Sequence, residues 1–139
     1  MAVFGRVGTA MATPFHDDLS LDEGGCAKLA RHLVDHGTDT LVLAGTTGES
    51  PTLTPDECVR LVEVVRGEVG AGVGILLGTG TNSTAATVAR TEAAQDLPID
   101  GVLVVTPYYN RPDHAGMLAH FRAVAAAGDK PVLLYDVPS

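Results

Sequence analysis

Hydroxyl-bearing residues of this sequence gather at a few short, glycine-marked places. Gly45-Thr46-Thr47-Gly48-Glu49-Ser50 sets two threonines between two glycines, where the backbone can turn sharply and leave successive N–H groups free. Free N–H groups beside two hydroxyls suit a carboxylate or another small oxyanion. The plainer reading is a turn whose threonines cap their own backbone. The only three tyrosines, Tyr108, Tyr109 and Tyr135, lie in Thr106-Pro107-Tyr108-Tyr109-Asn110 and in Tyr135-Asp136-Val137-Pro138-Ser139. A phenol donates and accepts through one hydroxyl, so a chain of phenol, hydroxyl and phenol can pass protons. As bystanders the same tyrosines would form an aromatic lid with their hydroxyls in water. Ala12-Thr13-Pro14 and Gly78-Thr79-Gly80-Thr81-Asn82 complete the set.

Other groups with chemical potential are less telling. His32 and His36 have the i,i+4 spacing of a metal pair, but no glutamate or third ligand accompanies them, so a solvated helix face is expected and no metal. Glu49 would repel an anion bound in its own loop and is expected to fix that loop as a hydrogen-bond acceptor. Cys26 and Cys58 form no CxxC or Cys/His pattern and read as small buried hydrophobes in a reducing compartment.

The elements that must position these residues follow from hydrophobic spacing. Val7–Ala12, Thr40–Ala44, Val73–Leu77, Gly101–Val105 and Val132–Tyr135 are short apolar runs rich in Val and Leu, as in strands buried on both faces. Between them lie four helical patterns. The first is predicted to open on a capping box, Ser20 with Glu23, to present Cys26, Leu29, Ala30, Leu33 and Val34, and to stop at Gly37. Thr54, Pro55 and Glu57 repeat the start signal ahead of Cys58, Leu61, Val62, Val65 and Val69. An Ala-rich helix runs from about Ser83 to Gln95, and a fourth from Asp113 to Gly128 presents Met117, Leu118, Phe121, Val124 and Ala125. The order is an α/β repeat of roughly 30 residues per unit, which requires parallel strands joined by right-handed crossovers. No linker divides the chain, so residues 1–139 read as a single domain. In such folds ligands lie at the C-terminal ends of the strands, where all the hydroxyl clusters fall. The sheet could be open and doubly wound or part of a barrel; the first turn lacks a dinucleotide fingerprint, which favours the barrel.

The 139 residues carry a net charge of -8, which speaks against a nucleic-acid surface. Apolar residues make up 45% and charged residues 19%, a composition outside the disordered range. No apolar run is long enough for a membrane span and no secretory segment follows Met1, so a cytoplasmic protein is expected.

Taken in order, these strand ends resemble the dihydrodipicolinate synthase / N-acetylneuraminate lyase superfamily, from Gly8-Thr9-Ala10-Met11-Ala12-Thr13-Pro14-Phe15 to Tyr135-Asp136-Val137-Pro138-Ser139. Gly45-Thr46-Thr47-Gly48-Glu49-Ser50 and Thr106-Pro107-Tyr108-Tyr109-Asn110 are the most specific matches, and the paired threonines look like the synthase branch. The resemblance implies the N-terminal portion, five strands and four helices, of an incomplete (β/α)8 TIM barrel. It implies a cofactor-free, lysine-biosynthetic condensation of pyruvate with L-aspartate 4-semialdehyde through a lysine Schiff base. It assigns Thr46, Tyr109 and Tyr135 to a proton relay and Thr46 with Thr47 to the pyruvate carboxylate. It also places Tyr109 in a neighbouring subunit's site, hence a homodimer or homotetramer. Lys28 and Lys130, the only lysines, match no Schiff-base position, so that residue is expected beyond Ser139 and this stretch alone is expected to be inactive. Cys58 and Ala86 stand where lysine-inhibited members carry histidine and glutamate, although Ser50, Asn82 and Tyr108 remain, so weak feedback inhibition is expected. Another pyruvate-dependent aldolase of the superfamily, or a non-catalytic half-barrel binding oxo acids or itself, is the alternative.

Overall fold

The computed structural model describes residues 4–137. Five strands alternate with four helices: β1 (Gly8–Ala10), α1 (Glu23–Asp35), β2 (Thr40–Leu43), α2 (Pro55–Val69), β3 (Gly74–Gly78), α3 (Thr84–Ala93), β4 (Gly101–Val105), α4 (His114–Ala125) and β5 (Val132–Tyr135). All four pairings are parallel and the spatial order is β1-β2-β3-β4-β5, the succession of a barrel wall, with no strand-order reversal of the doubly wound kind.

Register divides the strand residues between two faces. Leu41 pairs with Ile75 and Leu43 with Leu77, while Leu77 pairs with Val102, so these side chains share the outer face. There they pack with Cys26 and Ala30 of α1, Leu61, Val62 and Val65 of α2, and Val124 of α4 in one core cluster. The inner face carries Val42, Leu76, Leu103 and Val105 and, in register with Val105, Tyr135. On β5 the outward Leu134 is 56% exposed, because no helix of the described residues covers it.

Several boundaries differ from the sequence expectation for local reasons. β1 ends at Ala10 instead of Ala12, although the Met11 N–H still donates to the Val42 carbonyl at 3.0 Å. Helix α1 is capped by Asp22, whose carboxylate accepts from the Gly25 N–H at 2.8 Å, and not by Ser20. Ser20 is already held by Asp18 through its hydroxyl at 2.6 Å, and Glu23 turns to meet Arg60 of α2. The second capping box forms as read, with Thr54 and Glu57 bonded reciprocally. At the N-terminal ends of the strands Arg66 ties four groups together, donating to the carbonyls of Pro98, Gly70 and Val73 and to the Asp100 carboxylate at 2.6 Å.

The buried face of α4 is rotated from the expected stripe. Leu118 is 43% exposed, whereas His120, outside the expected stripe, is 2% exposed. Its Nδ1 lies 2.9 Å from the Thr84 hydroxyl at the start of α3, its ring meets Phe121 edge-on, and Nε2 has no partner among the described residues. Burial therefore pushes the imidazole below the usual histidine range. The neutral ring is the folded form, so its contribution is intact above the unfolded value of about 6.5 and declines as pH falls below that value. Thermal unfolding should show stability falling below about pH 6.5, and His120→Gln should flatten that slope; an unchanged slope would refute the assignment.

Candidate active site

The β2–α2 connection is built around a left-handed exit. Ala44 has φ 49° and Glu49 φ 56°, and the turn between them closes on itself. The N–H groups of Gly48 and Ser50 donate to the Gly45 carbonyl and that of Glu49 to the Thr46 carbonyl, at 3.1, 3.2 and 3.1 Å. Those of Thr46 and Thr47 find no acceptor among the described residues, and both side chains are exposed. The loop thus leaves two adjacent N–H groups without an acceptor among the described residues, beside two exposed threonines, a combination able to receive an oxyanion.

Two close approaches fix where this loop sits. Gly48 is buried with its carbonyl accepting from the Thr13 hydroxyl at 2.7 Å, so the segment leaving β1 anchors the turn from behind. At the end of β3 a Cβ on Gly78 would lie 2.1 Å from the Ala44 carbonyl oxygen, so only glycine permits the two strand ends to come together. Glu49 differs from expectation: its side chain makes no hydrogen bond among the described residues. It fixes the loop through its backbone, with its carbonyl accepting from the Thr52 N–H at 2.8 Å and hydroxyl at 2.9 Å.

The C-terminal strand ends surround a cleft of about 500 Å³. Thr46 and Tyr135 both line it, with Glu49, Ser50, Pro51, Thr52 and Tyr108 on one side and Gly78, Gly80, Leu103 and Val105 on the floor. Thr47, the next residue after Thr46, is not among the residues that line it. Tyr109 stands apart, 91% exposed, at φ 69°. Sequence reasoning put Thr46, Thr47 and Tyr135 at one rim; it missed the glycine contacts, which the Gly78-Thr79-Gly80 spacing could have signalled as a close backbone approach. Among the described residues Glu49 is the only charged side chain in the cleft, so an anion there would be met by amide and hydroxyl dipoles.

Other groups are placed elsewhere. Lys28 is exposed on α1, and Lys130 donates to the Ile99 carbonyl at 3.0 Å, at the N-terminal end of β4. Burial pushes the Cys26 thiol up to about 11, reinforced by Asp22 and Glu23, and burial also raises Cys58, so both remain protonated at neutral pH. Cys58 lines a smaller cavity of about 120 Å³ between α2 and α3, with Ser50 and Arg90 on its wall. The rings of His32 and His36 lie against each other at a tilt of 37° with centroids 4.2 Å apart, and no group of three possible metal ligands occurs among the described residues. No described helix is long and apolar enough to cross a membrane.

Five parallel strands with their helices on the outside and a cleft with hydroxyls at its rim, at the C-terminal strand ends, form part of a (β/α)8 barrel. Residues 3–139 match the Dihydrodipicolinate synthetase family, and the chain belongs to that family. It is 52% identical over 136 residues to the 4-hydroxy-tetrahydrodipicolinate synthase of Moorella thermoacetica, covering 98% of this chain and 47% of that protein. Dihydrodipicolinate synthase from Cyanidioschyzon merolae with lysine bound superposes with a TM-score of 0.93 at 44% identity, over 98% of this chain and 47% of that one. The Acinetobacter baumannii enzyme complexed with pyruvate gives 0.91 at 36% identity, over 99% and 47%. The chain therefore spans about half the length of these relatives.

Replacing Gly78 by Ala should destabilise the protein by about 2 kcal/mol, the scale of a forced overpacking. Denaturant unfolding checks this; a midpoint equal to that of the parent would show that the strand ends can part without loss.

Proposed function

We propose that this chain forms the pyruvate-binding side of a 4-hydroxy-tetrahydrodipicolinate synthase, which condenses pyruvate with L-aspartate 4-semialdehyde in the diaminopimelate route to lysine. The observation that carries the reading is the placement of Thr46 and Tyr135 on one cleft wall beside the unpaired N–H groups of Thr46 and Thr47. Residues 1–139 act as one domain, the first part of the barrel, in a cytoplasmic enzyme.

In this reading the pyruvate carboxylate rests on the Thr46–Thr47 amides and the Thr47 hydroxyl, which presents C2 to a lysine amine. The amine displaces the carbonyl oxygen as water and forms a Schiff base. The iminium draws electrons from the adjacent methyl, which loses a proton to become the enamine carbon, and that carbon bonds to the aldehyde carbon of the second substrate. The aldehyde oxygen takes up a proton as the new C–C bond forms. Tyr135, Thr46 and Tyr109 carry protons between cleft and solvent during these steps. Lys28 and Lys130 lie away from the cleft, so the reacting lysine is supplied from outside residues 1–139. The free exposure of Tyr109 fits delivery to a neighbouring subunit's cleft in a dimer or a tetramer of dimers.

Two measurements in the full-length protein containing these residues test the reading. Pyruvate with borohydride should add one reduced adduct to the intact mass, and Tyr135→Phe or Thr46→Val should lower kcat by about a hundredfold. No adduct, or full turnover in both variants, would exclude the proposed chemistry.

Inhibition by lysine should be weak. Cys58 offers a protonated, neutral thiol and Ala86 no polar group, so neither supplies the charge or acceptors an ammonium group needs. Steady-state assays with sub-millimolar lysine should show little loss of rate, and strong inhibition would contradict this.

A further inference from the structure

Tyr109 poses a physical problem. Its side chain is 91% exposed and makes no hydrogen bond among the described residues, so packing within its own chain does not set its direction. Within the chain its backbone aims it, and that backbone is unusual. The Asn110 N–H donates to the Tyr108 carbonyl at 2.8 Å, which closes a three-residue turn centred on Tyr109 at φ 69°. A turn of this kind with positive φ is the rare, strained γ form. Arg111 follows at φ 49°, so two non-glycine residues in the left-handed region flank Asn110. Such a segment relaxes unless something outside it holds it.

The outside contact is made by one side chain. Asn110 Nδ2 donates to the Asn82 carbonyl at 2.6 Å, joining the β4–α4 loop to the β3–α3 loop. Asn82 sits on a firm support, because Thr81 beside it is buried and bonded to Thr87 and Ser83 at the start of α3. We infer that Asn110 is a positioning residue: its amide clamps the strained turn to the β3–α3 loop and so fixes the direction in which Tyr109 projects. An asparagine suits this place on two counts. It tolerates turn geometry better than most residues, and its Nδ2 is a donor that aspartate or alanine lacks.

The inference rests on the relay reading for its functional consequence, but the clamp itself can be read without turnover. In the full-length protein containing these residues, labelled with 3-fluorotyrosine, the Tyr109 resonance is identified by its loss in Tyr109→Phe. Asn110→Ala, and the nearly isosteric Asn110→Asp should alanine compromise folding, should shift or broaden that resonance and leave the Tyr135 resonance in place. Turnover should fall by about tenfold in kcat with the KM for pyruvate nearly unchanged, the pattern for a group that acts after substrate binding. An unmoved Tyr109 resonance in both variants overturns the clamp. So does displacement of every tyrosine resonance together, which would mark Asn110 as general scaffolding. If Tyr109→Phe keeps full turnover while the Asn110 variants still displace the resonance, the relay reading fails and the clamp stands.

Discussion

Parallel strands cannot be joined by tight turns, and this constraint organises the rest of the molecule. Each of the first four strands is followed by a helix that returns the chain to the starting edge, so every C-terminal strand end falls on the same rim. Four of the five strand ends, those of β2 to β5, then meet around one cleft, although their residues lie up to about 90 positions apart in the chain. The helices serve the rim indirectly, by burying Leu41, Leu43, Ile75, Leu77, Val102 and Val104 on the outer face. Val42 and Leu76 are buried on the inner face as well, so only the rim is free of core-building duty, and polar residues can occupy it without loss of a packed interior. At the opposite end Arg66 gathers four acceptors from the segments entering β3 and β4, and this end contributes cohesion, not chemistry.

The rim itself is rigid at some places and strained at others. The Thr46–Thr47 turn is held from three sides: by its own bonds to Gly45 and Thr46, by Thr13 on the Gly48 carbonyl, and by the contact of Gly78 with Ala44. Preorganised amides of this sort stabilise an anion without having to reorient as it binds. They also suit an acidic protein. With a net charge of -8, a cleft meeting an anion through dipoles at very short range escapes much of the unfavourable long-range field, which salt screens over roughly 10 Å.

Much of this was legible in the sequence, and what was not has an identifiable cause. The succession of strands and helices and the rim followed from apolar runs separated by helical patterns, because periodicity reflects burial directly; the spatial order β1-β2-β3-β4-β5 did not, since an open sheet and a barrel share that pattern. The cap of α1 was misplaced because Ser20 and Asp22 are both good cap residues, and the choice between them was made by Asp18 and Arg60, contacts that spacing alone does not reveal. His120 was overlooked for a similar reason: a histidine carries no periodic signal, and its burial depends on Thr84 of the neighbouring helix. The tyrosines could be placed at the rim from their neighbours, but not aimed. Nothing in the type of Tyr109 announces a positive φ, since tyrosine has no preference for it.

The two phenols illustrate how differently a fold can hold one chemical group. Tyr135 is in register with Val105 on β4, and its carbonyl accepts from the Thr106 N–H at 2.9 Å, so the sheet ladder fixes its backbone and its alternating face fixes its direction. Moving it would require breaking sheet pairing. Tyr109 has no ladder behind it; its direction depends on a single strained turn and the loop to which that turn is tied. A residue held by register serves its own cleft well, because the cleft is made of the same strands. A residue that must reach beyond its own sheet has to leave the ladder, and once it does, local strain with one outside hydrogen bond is among the few ways to hold it in a definite direction without burying it.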